Sequence, residues 1–219
     1  MARWATGVAT LLLGAVGVMT AGAGDEETVI LLPRGARPRE VQTNVVEISF
    51  PFYVHNNALK PPPRNFSASG YMGDVSYLRV MGGYTNVLQE GVPCIKVVYS
   101  TGGQGGWAAL VWQNPVDNWG DKAGGGYDLS RAKKIEFWAC GSLGGEVVEF
   151  KVGGTGGEYP DSATVTTGPI TLKKQWLRYV LDLSDADLRY ISAGFGFVVT
   201  EENNPAGCTF YLDAIAYVE

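Results

Sequence analysis

Apolar and polar residues alternate along most of the chain after residue 68, and this period-two pattern is typical of β-strands with one buried face. The clearest runs cover residues 107–113, 134–139 and 146–152. Other runs of this kind cover residues 75–81, 94–100, 164–167, 176–183, 194–200 and 209–218. About nine short strands at this spacing predict an all-β protein, either an antiparallel two-sheet sandwich or a barrel. Helix is limited to one candidate turn at residues 184–190.

The first part of the chain is organised differently. Arg3, an apolar run at residues 8–18 and the small residues Ala21, Gly22 and Ala23 follow one another in the order of a secretory signal peptide. We therefore predict cleavage near Ala23 and a secreted or periplasmic protein. An uncleaved membrane anchor is the alternative, although the apolar run is short for a membrane span.

The residues between the signal peptide and the regular strands form an extension. It contains two strand candidates, 28–32 and 45–54, and a proline-rich linker, KPPPR at residues 60–64, which must be extended. We divide the chain into a signal peptide (1–23), an N-terminal extension with its linker (24–66) and a β-sandwich domain (67–219). A strand in the extension also offers a way to complete the sheet of a neighbouring copy.

Composition and charge exclude several classes of function. The net charge of -5 argues against nucleic-acid binding, which needs a clustered basic surface, and favours a neutral ligand. Cys94, Cys140 and Cys208 each lie in an apolar strand, which indicates buried thiols, with one internal disulfide as the alternative. The chain has no Cys-x-x-Cys motif, so a structural zinc site is not expected.

Aromatic residues in the middle of the chain carry the strongest functional signal. Sugar rings stack their apolar faces on indole or phenol rings, while nearby amides and carboxylates bond the hydroxyl groups. Trp119 lies in a polar loop and is either a ligand platform or a plug that folds back on the sheet. The alternation leaves open whether Trp112 and Trp138 face solvent or core. The predicted ligand-binding set is Trp119, Tyr127, Trp112, Gln113, Asn114, Asp117 and Asp121.

Several short motifs resemble a known family. They are GYMGD (70–74), NWG (118–120), GYDL (126–129), KIEFWA (134–139), GGEVVEFKVG (144–153), YPDS (159–162) and FYLD (210–213). Together they resemble secreted bacterial carbohydrate-binding modules of the galactose-binding-like superfamily, over about residues 69–219. The resemblance implies a jelly roll of two antiparallel sheets, without catalytic activity of its own, that works beside polysaccharide-active enzymes.

The resemblance also implies a structural calcium ion between an early acidic residue and an aspartate of the last strand. Asp74 and Asp213 are the residues at these positions. Such modules often carry two adjacent aspartates in the last strand, whereas Ala214 follows Asp213 here. Oxygen ligands from both aspartates would converge if the first and last strands are adjacent.

An enzyme has less support. A glycosidase needs two carboxylates at a set separation, and Glu136 and Glu149 lie on strands that we expect to be neighbours. Lysines flank both residues, however, which favours solvated cross-strand pairs. A hydrolase triad lacks support because the chain has one histidine, His55, and no G-x-S-x-G motif. The sequence thus predicts a secreted, non-catalytic polysaccharide-binding sandwich; the alternatives are a self-assembling extracellular protein and, with less support, a polysaccharide-cleaving enzyme.

Overall fold

The computed structural model describes residues 48–219 in full and, before them, the backbone of two short strands. These strands, β1 (Val18–Ala21) and β2 (Thr28–Leu31), pair with each other in antiparallel fashion. The chain divides into two compact units, residues 1–45 and residues 46–219. The predicted cleavage site near Ala23 lies outside the described residues. Within the described part of the chain, no helix is long and apolar enough to cross a membrane.

The second unit is built from strands in two antiparallel sheets. The strands are β3 (Phe52–His55), β4 (Ser67–Gly73), β5 (Leu78–Gln89), β6 (Val92–Tyr99), β7 (Trp107–Gln113), β8 (Lys134–Gly141), β9 (Val147–Gly153), β10 (Thr164–Thr171), β11 (Leu177–Asp182), β12 (Ala193–Thr200) and β13 (Cys208–Val218). One sheet has the order β10-β9-β12-β7-β4, and the other has the order β11-β8-β13-β6-β5, with β3 also paired to β13. The predicted all-β, antiparallel two-sheet sandwich is confirmed. Residues 184–190 form turns and no helix.

The core lies between the sheets and is filled by alternate residues of the central strands. Phe137 of β8 packs against Phe150 of β9 and Phe195 of β12, with ring centroids 4.6 and 5.1 Å apart. All three side chains are fully buried. Burying one such side chain contributes about 1.5–3 kcal/mol, so this aromatic layer stabilises the contact between the two sheets.

The sandwich begins earlier in the chain than residue 67. Residues Cys208–Leu212 of strand β13 pair with β6. After a bulge, residues Ile215–Tyr217 of the same strand pair with β3. Phe52 and Val54 of β3 are buried in the core. Strand β3, which overlaps the second strand candidate of the extension, therefore has its partner in its own chain, and residues 52–55 of the predicted extension are part of the sandwich. Completion of a neighbour's sheet stays a prediction.

Candidate functional site

Trp119 projects from a loop that its neighbours hold in place. Asn118 is fully buried; its side-chain amide donates to the carbonyl of Asn114, and its Oδ1 accepts from the N–H of Gly120. The N–H of Trp119 donates to Oδ1 of Asp121 at 3.0 Å. The Trp119 side chain is 43% exposed, as expected for a platform rather than a plug. Ligand binding by Trp119 stays a prediction, and the exposed Asp117 and Asp121 remain beside it.

Four other residues of the predicted set make contacts within the protein. Trp112 is 3% exposed and packs in the core against Phe195 and Phe197. Buried Gln113 donates to the carbonyl of Asn118 at 2.7 Å. The rings of Phe52 and Phe66 pack edge-on against Tyr127. Both the Tyr127 hydroxyl and the Asn114 amide donate to the carbonyl of Asn65. The four side chains already have protein partners, and ligand binding by them stays a prediction.

Asp74 and Asp213 lie in different surroundings. Both carboxylate oxygens of Asp74 accept backbone N–H groups, from Gly105 at 3.1 Å and Gly106 at 2.8 Å. Asp213 accepts from the backbone N–H of Asn57 at 3.3 Å. The two aspartates share no partner, and the described residues contain no group of three or more His, Cys, Asp or Glu side chains that could hold a metal ion. Calcium takes about six to eight oxygen ligands. N–H donors around both carboxylates do not fit that requirement.

The two carboxylates considered for glycoside hydrolysis lie on opposite sides of the molecule. Strands β8 and β9 belong to different sheets, and Glu136 and Glu149 both point away from the core. Glu136 contacts Lys134 at 2.8 Å and Arg178 at 3.3 Å, and the Lys134 contact is the main cause of its lowered pKa. The expectation that these strands are neighbours was wrong, and this pair cannot flank one glycosidic bond.

A second aromatic surface lies on the side of the six-stranded sheet that points away from the core. Here Cys94, Cys140 and Tyr211 form a small apolar cluster, separate from the main core. Tyr84, Val87 and Trp176 pack against it. We call this surface the sheet face, and it comprises Tyr84, Cys94, Lys96, Glu136, Trp138, Cys140, Trp176, Arg178, Tyr211 and Asp213.

A bulge in β5 places Tyr84 on the sheet face. The pairing of β5 with β6 shifts register between Met81 and Tyr84, where Gly83 has a φ of 67°. The Tyr84 ring stacks on Tyr211 of β13, with centroids 6.0 Å apart and planes 25° apart, although β6 lies between the two strands. The ammonium group of Lys96 sits 4.7 Å from the centroid of the same ring. Tyr84 is thereby held half-buried across the sheet.

Two tryptophans extend this aromatic surface. Trp176, immediately before β11, lies 6.4 Å from Tyr211 between ring centroids. Trp138 of β8 is also half-buried, and its direct neighbours on the adjacent strands are Asp213 and Arg178. Two half-buried aromatic side chains, Tyr84 and Trp176, therefore lie beside the covered Tyr211, and a third, Trp138, lies on the same face beside charged groups. Of the sequence signals, only the glycine pair before Tyr84 hints at this surface, because glycine inside a strand often marks a bulge.

Beside Trp138, at the bulge in β13, half-buried His55 and Asn57 and buried Asp213 form a polar corner. Asp213 is 1% exposed, and burial raises the pKa of its carboxyl group. The Nε2 atom of His55 is 3.8 Å from Oδ1 of Asp213. Burial lowers the pKa of His55 to about 4, so at neutral pH this contact joins a neutral imidazole to the carboxyl group and is no ion pair. Nε2 of His55 and Nδ2 of Asn57 are buried without a hydrogen-bond partner among the described residues.

Comparison with known proteins addresses the fold. No protein-family model matches the chain, and no curated protein matches it. Two crystal structures of a family 30 carbohydrate-binding module are similar, with TM-scores of 0.51 and 0.50 and 19% sequence identity. Each covers 70% of this chain, and 94% and 83% of the respective module are covered. The fold is the jelly roll of carbohydrate-binding modules.

The jelly roll expected from the motif resemblance is thereby confirmed. A third similar structure is the family 30 module of a cellulosomal cellulase from Clostridium thermocellum, with a TM-score of 0.46, 18% identity and coverage of 70% of this chain and 91% of that one. Structural similarity at 19% sequence identity establishes the fold alone. Its ligand has to be argued from the residues that the fold displays.

Proposed function

We propose that this jelly roll is a non-catalytic polysaccharide-binding module that works outside the cell and binds its ligand on the sheet face. The observation that carries the proposal is that Tyr84 and Trp176 pack beside Tyr211 on the solvent side of the six-stranded sheet, where Trp138 lies on the neighbouring strand β8 opposite Asp213. The carbohydrate-binding modules that share the fold support the same class of ligand.

The surroundings of these rings suit sugar binding. Half-buried rings are already held in position by the sheet, so little side-chain entropy is lost when a sugar ring stacks on them. Arg178 and Glu136, beside Trp138, supply hydrogen-bonding groups for hydroxyls. Most interface energy comes from a few buried aromatic or arginine anchors, so we expect Trp138 and Trp176 to dominate the affinity.

Affinity electrophoresis in gels that contain soluble polysaccharides tests the proposal and separates the two aromatic surfaces. Trp138→Ala and Trp176→Ala are each expected to weaken the retention of a bound polysaccharide by about tenfold or more. Trp119→Ala is the matched control, because it removes an exposed indole from the distant loop and is expected to leave retention unchanged. Loss of retention in Trp119→Ala alone would move the site to the loop. No retention on any polysaccharide would reject the function.

The enzymatic alternative is tested with the same protein. A polysaccharide-binding module without catalysis releases no reducing ends from the polymers that retain it. Release that disappears in Glu136→Gln would contradict the non-catalytic assignment. Glu136 already forms ion pairs with Lys134 and Arg178, so we expect no release of reducing ends.

A further inference from the structure

The sheet face carries basic residues next to its aromatic side chains, although the chain as a whole is acidic. The chain carries a net charge of -5. On the sheet face, Lys96 lies beside Tyr84 and Arg178 lies beside Trp138. Lys173 and Lys174 precede Trp176 and are exposed. The charges beside the rings, rather than the overall charge of the chain, decide what this surface attracts.

The carboxylates nearby leave Lys96 without a counter-charge. Glu136 already contacts two cations, Lys134 and Arg178. Asp213 is buried and accepts from a backbone N–H in the polar corner. Of the described carboxylates, none forms an ion pair with Lys96. Among the described residues of the sheet face, Lys96 is thus a cation that has no carboxylate partner.

The position of Lys96 suits recognition of an anion. Its strand neighbours on the sheet face are Tyr211 and Met81, neither of which is charged. Its ammonium group is held above the Tyr84 ring, where a cation–π contact steadies it without using up its three N–H donors. A carboxylate or sulfate group on a sugar that stacks against the aromatic side chains would meet this ammonium at close range, where a charge-assisted hydrogen bond is strong.

We propose that the sheet face binds an acidic polysaccharide, one whose sugars carry carboxylate or sulfate groups, and that Lys96 is the residue that selects the charge. This inference rests on the proposed function, because it names the ligand class of the same site. It differs from the neutral ligand that the net charge of the chain suggests. The aromatic side chains supply stacking for any sugar ring, and Lys96 favours the charged one.

Binding to pairs of polymers that differ only in charge tests the inference. Polygalacturonate and its fully methyl-esterified form differ in their carboxylates, and a sulfated galactan and its desulfated form differ in their sulfates. We expect one of the acidic polymers to bind at least about tenfold tighter than its neutral form at low salt, and this preference to shrink in about 0.5 M NaCl, where the screening length is roughly 4 Å. The preferred pair tells carboxylate from sulfate.

Lys96→Gln is the test variant, and it is expected to abolish the preference while it keeps the binding of the neutral polymer. Lys151→Gln is the matched control, because Lys151 lies on the outer side of the other sheet and its removal changes the net charge equally. Equal binding of both members of both pairs, or a preference that survives in Lys96→Gln, would overturn the inference. Failure of the proposed function looks different, since the wild-type protein would then be retained by no polysaccharide, neutral or acidic. Retention on another neutral polymer without binding to any of the four would overturn the inference and leave the proposed function standing.

Discussion

His55 is the only histidine of the chain, which makes its titration easy to isolate. Its imidazole packs in the polar corner beside Asp213, where burial lowers its pKa from 6.5 to about 4. In the unfolded chain the imidazole of His55 therefore becomes protonated near pH 6.5, whereas in the folded chain it stays neutral until about pH 4. The stability contributed by neutral His55 is complete above pH 6.5 and is lost as the pH falls toward 4, by on the order of 3 kcal/mol.

Urea unfolding at pH 7 and pH 5 measures this effect. The wild-type protein is expected to lose more unfolding free energy between the two pH values than His55→Gln, which cannot gain the proton. Asp213 acts in the opposite sense, because its raised pKa adds stability as the pH falls, so the net loss is smaller than the contribution of His55 alone. Identical pH dependence in both proteins would show that His55 titrates normally in the folded state.

Single tryptophans show what alternation could predict and what it could not. The pattern around Trp112 and Trp138 correctly predicted two strands with two faces each. It could not tell which face is buried, because that depends on the sheet packed against the strand. Trp112 meets Phe195 and Phe197 and belongs to the core, whereas Trp138 lies on the outer side. Trp119 was easier to interpret, because its polar neighbours offer no apolar surface to cover it.

At the scale of elements, the bulge in strand β5 depends on one glycine. Gly82 and Gly83 both have open space where a β-carbon would lie, but only Gly83 has a positive φ, 67°. Gly83→Ala is therefore expected to lower the unfolding free energy by about 1–2 kcal/mol through backbone strain alone. Gly82→Ala is the matched control and is expected to cost little. Chemical denaturation compares the two variants, and equal losses would contradict the bulge geometry.

Strand β5 also explains why the sheet face was not predicted from the sequence. Tyr84 reaches Tyr211 because β5 bulges and leans across β6, and a register shift of this kind leaves no clear alternation in the sequence. Strand β3 presents a similar difficulty. Its apolar pattern predicted a strand, but its partner β13 lies at the far end of the chain, so its place in the sandwich could not be derived from local sequence. Most strands were predictable from local pattern, although residues 75–77 form a 3₁₀ helix ahead of β5 and β3 begins only at Phe52; pairing was not predictable.

At the scale of the whole molecule, the structure holds three thiols that solvent does not reach. Cys94, Cys140 and Cys208 are free and buried, and burial raises the pKa of these thiols to about 11, about 12 and about 12, respectively. A thiol reacts through its thiolate, so the folded protein is expected to react slowly with a thiol reagent at pH 8, and all three cysteines are expected to react once urea unfolds it. Rapid labelling of the native protein would contradict this burial.

The pairing of β3 with β13 has a consequence for how the chain reaches this structure. Asn57 and Asp213, which hydrogen-bond where β13 changes partners, are 156 residues apart in sequence. Closing so long a loop costs entropy before the contact is gained, and contacts between distant residues slow folding. During synthesis, the first strand of the sandwich leaves the ribosome long before the last. Phe52 and Val54 therefore cannot be buried against β13 until β13 has been made. A nascent chain that still lacks β13 exposes them to solvent and to chaperones.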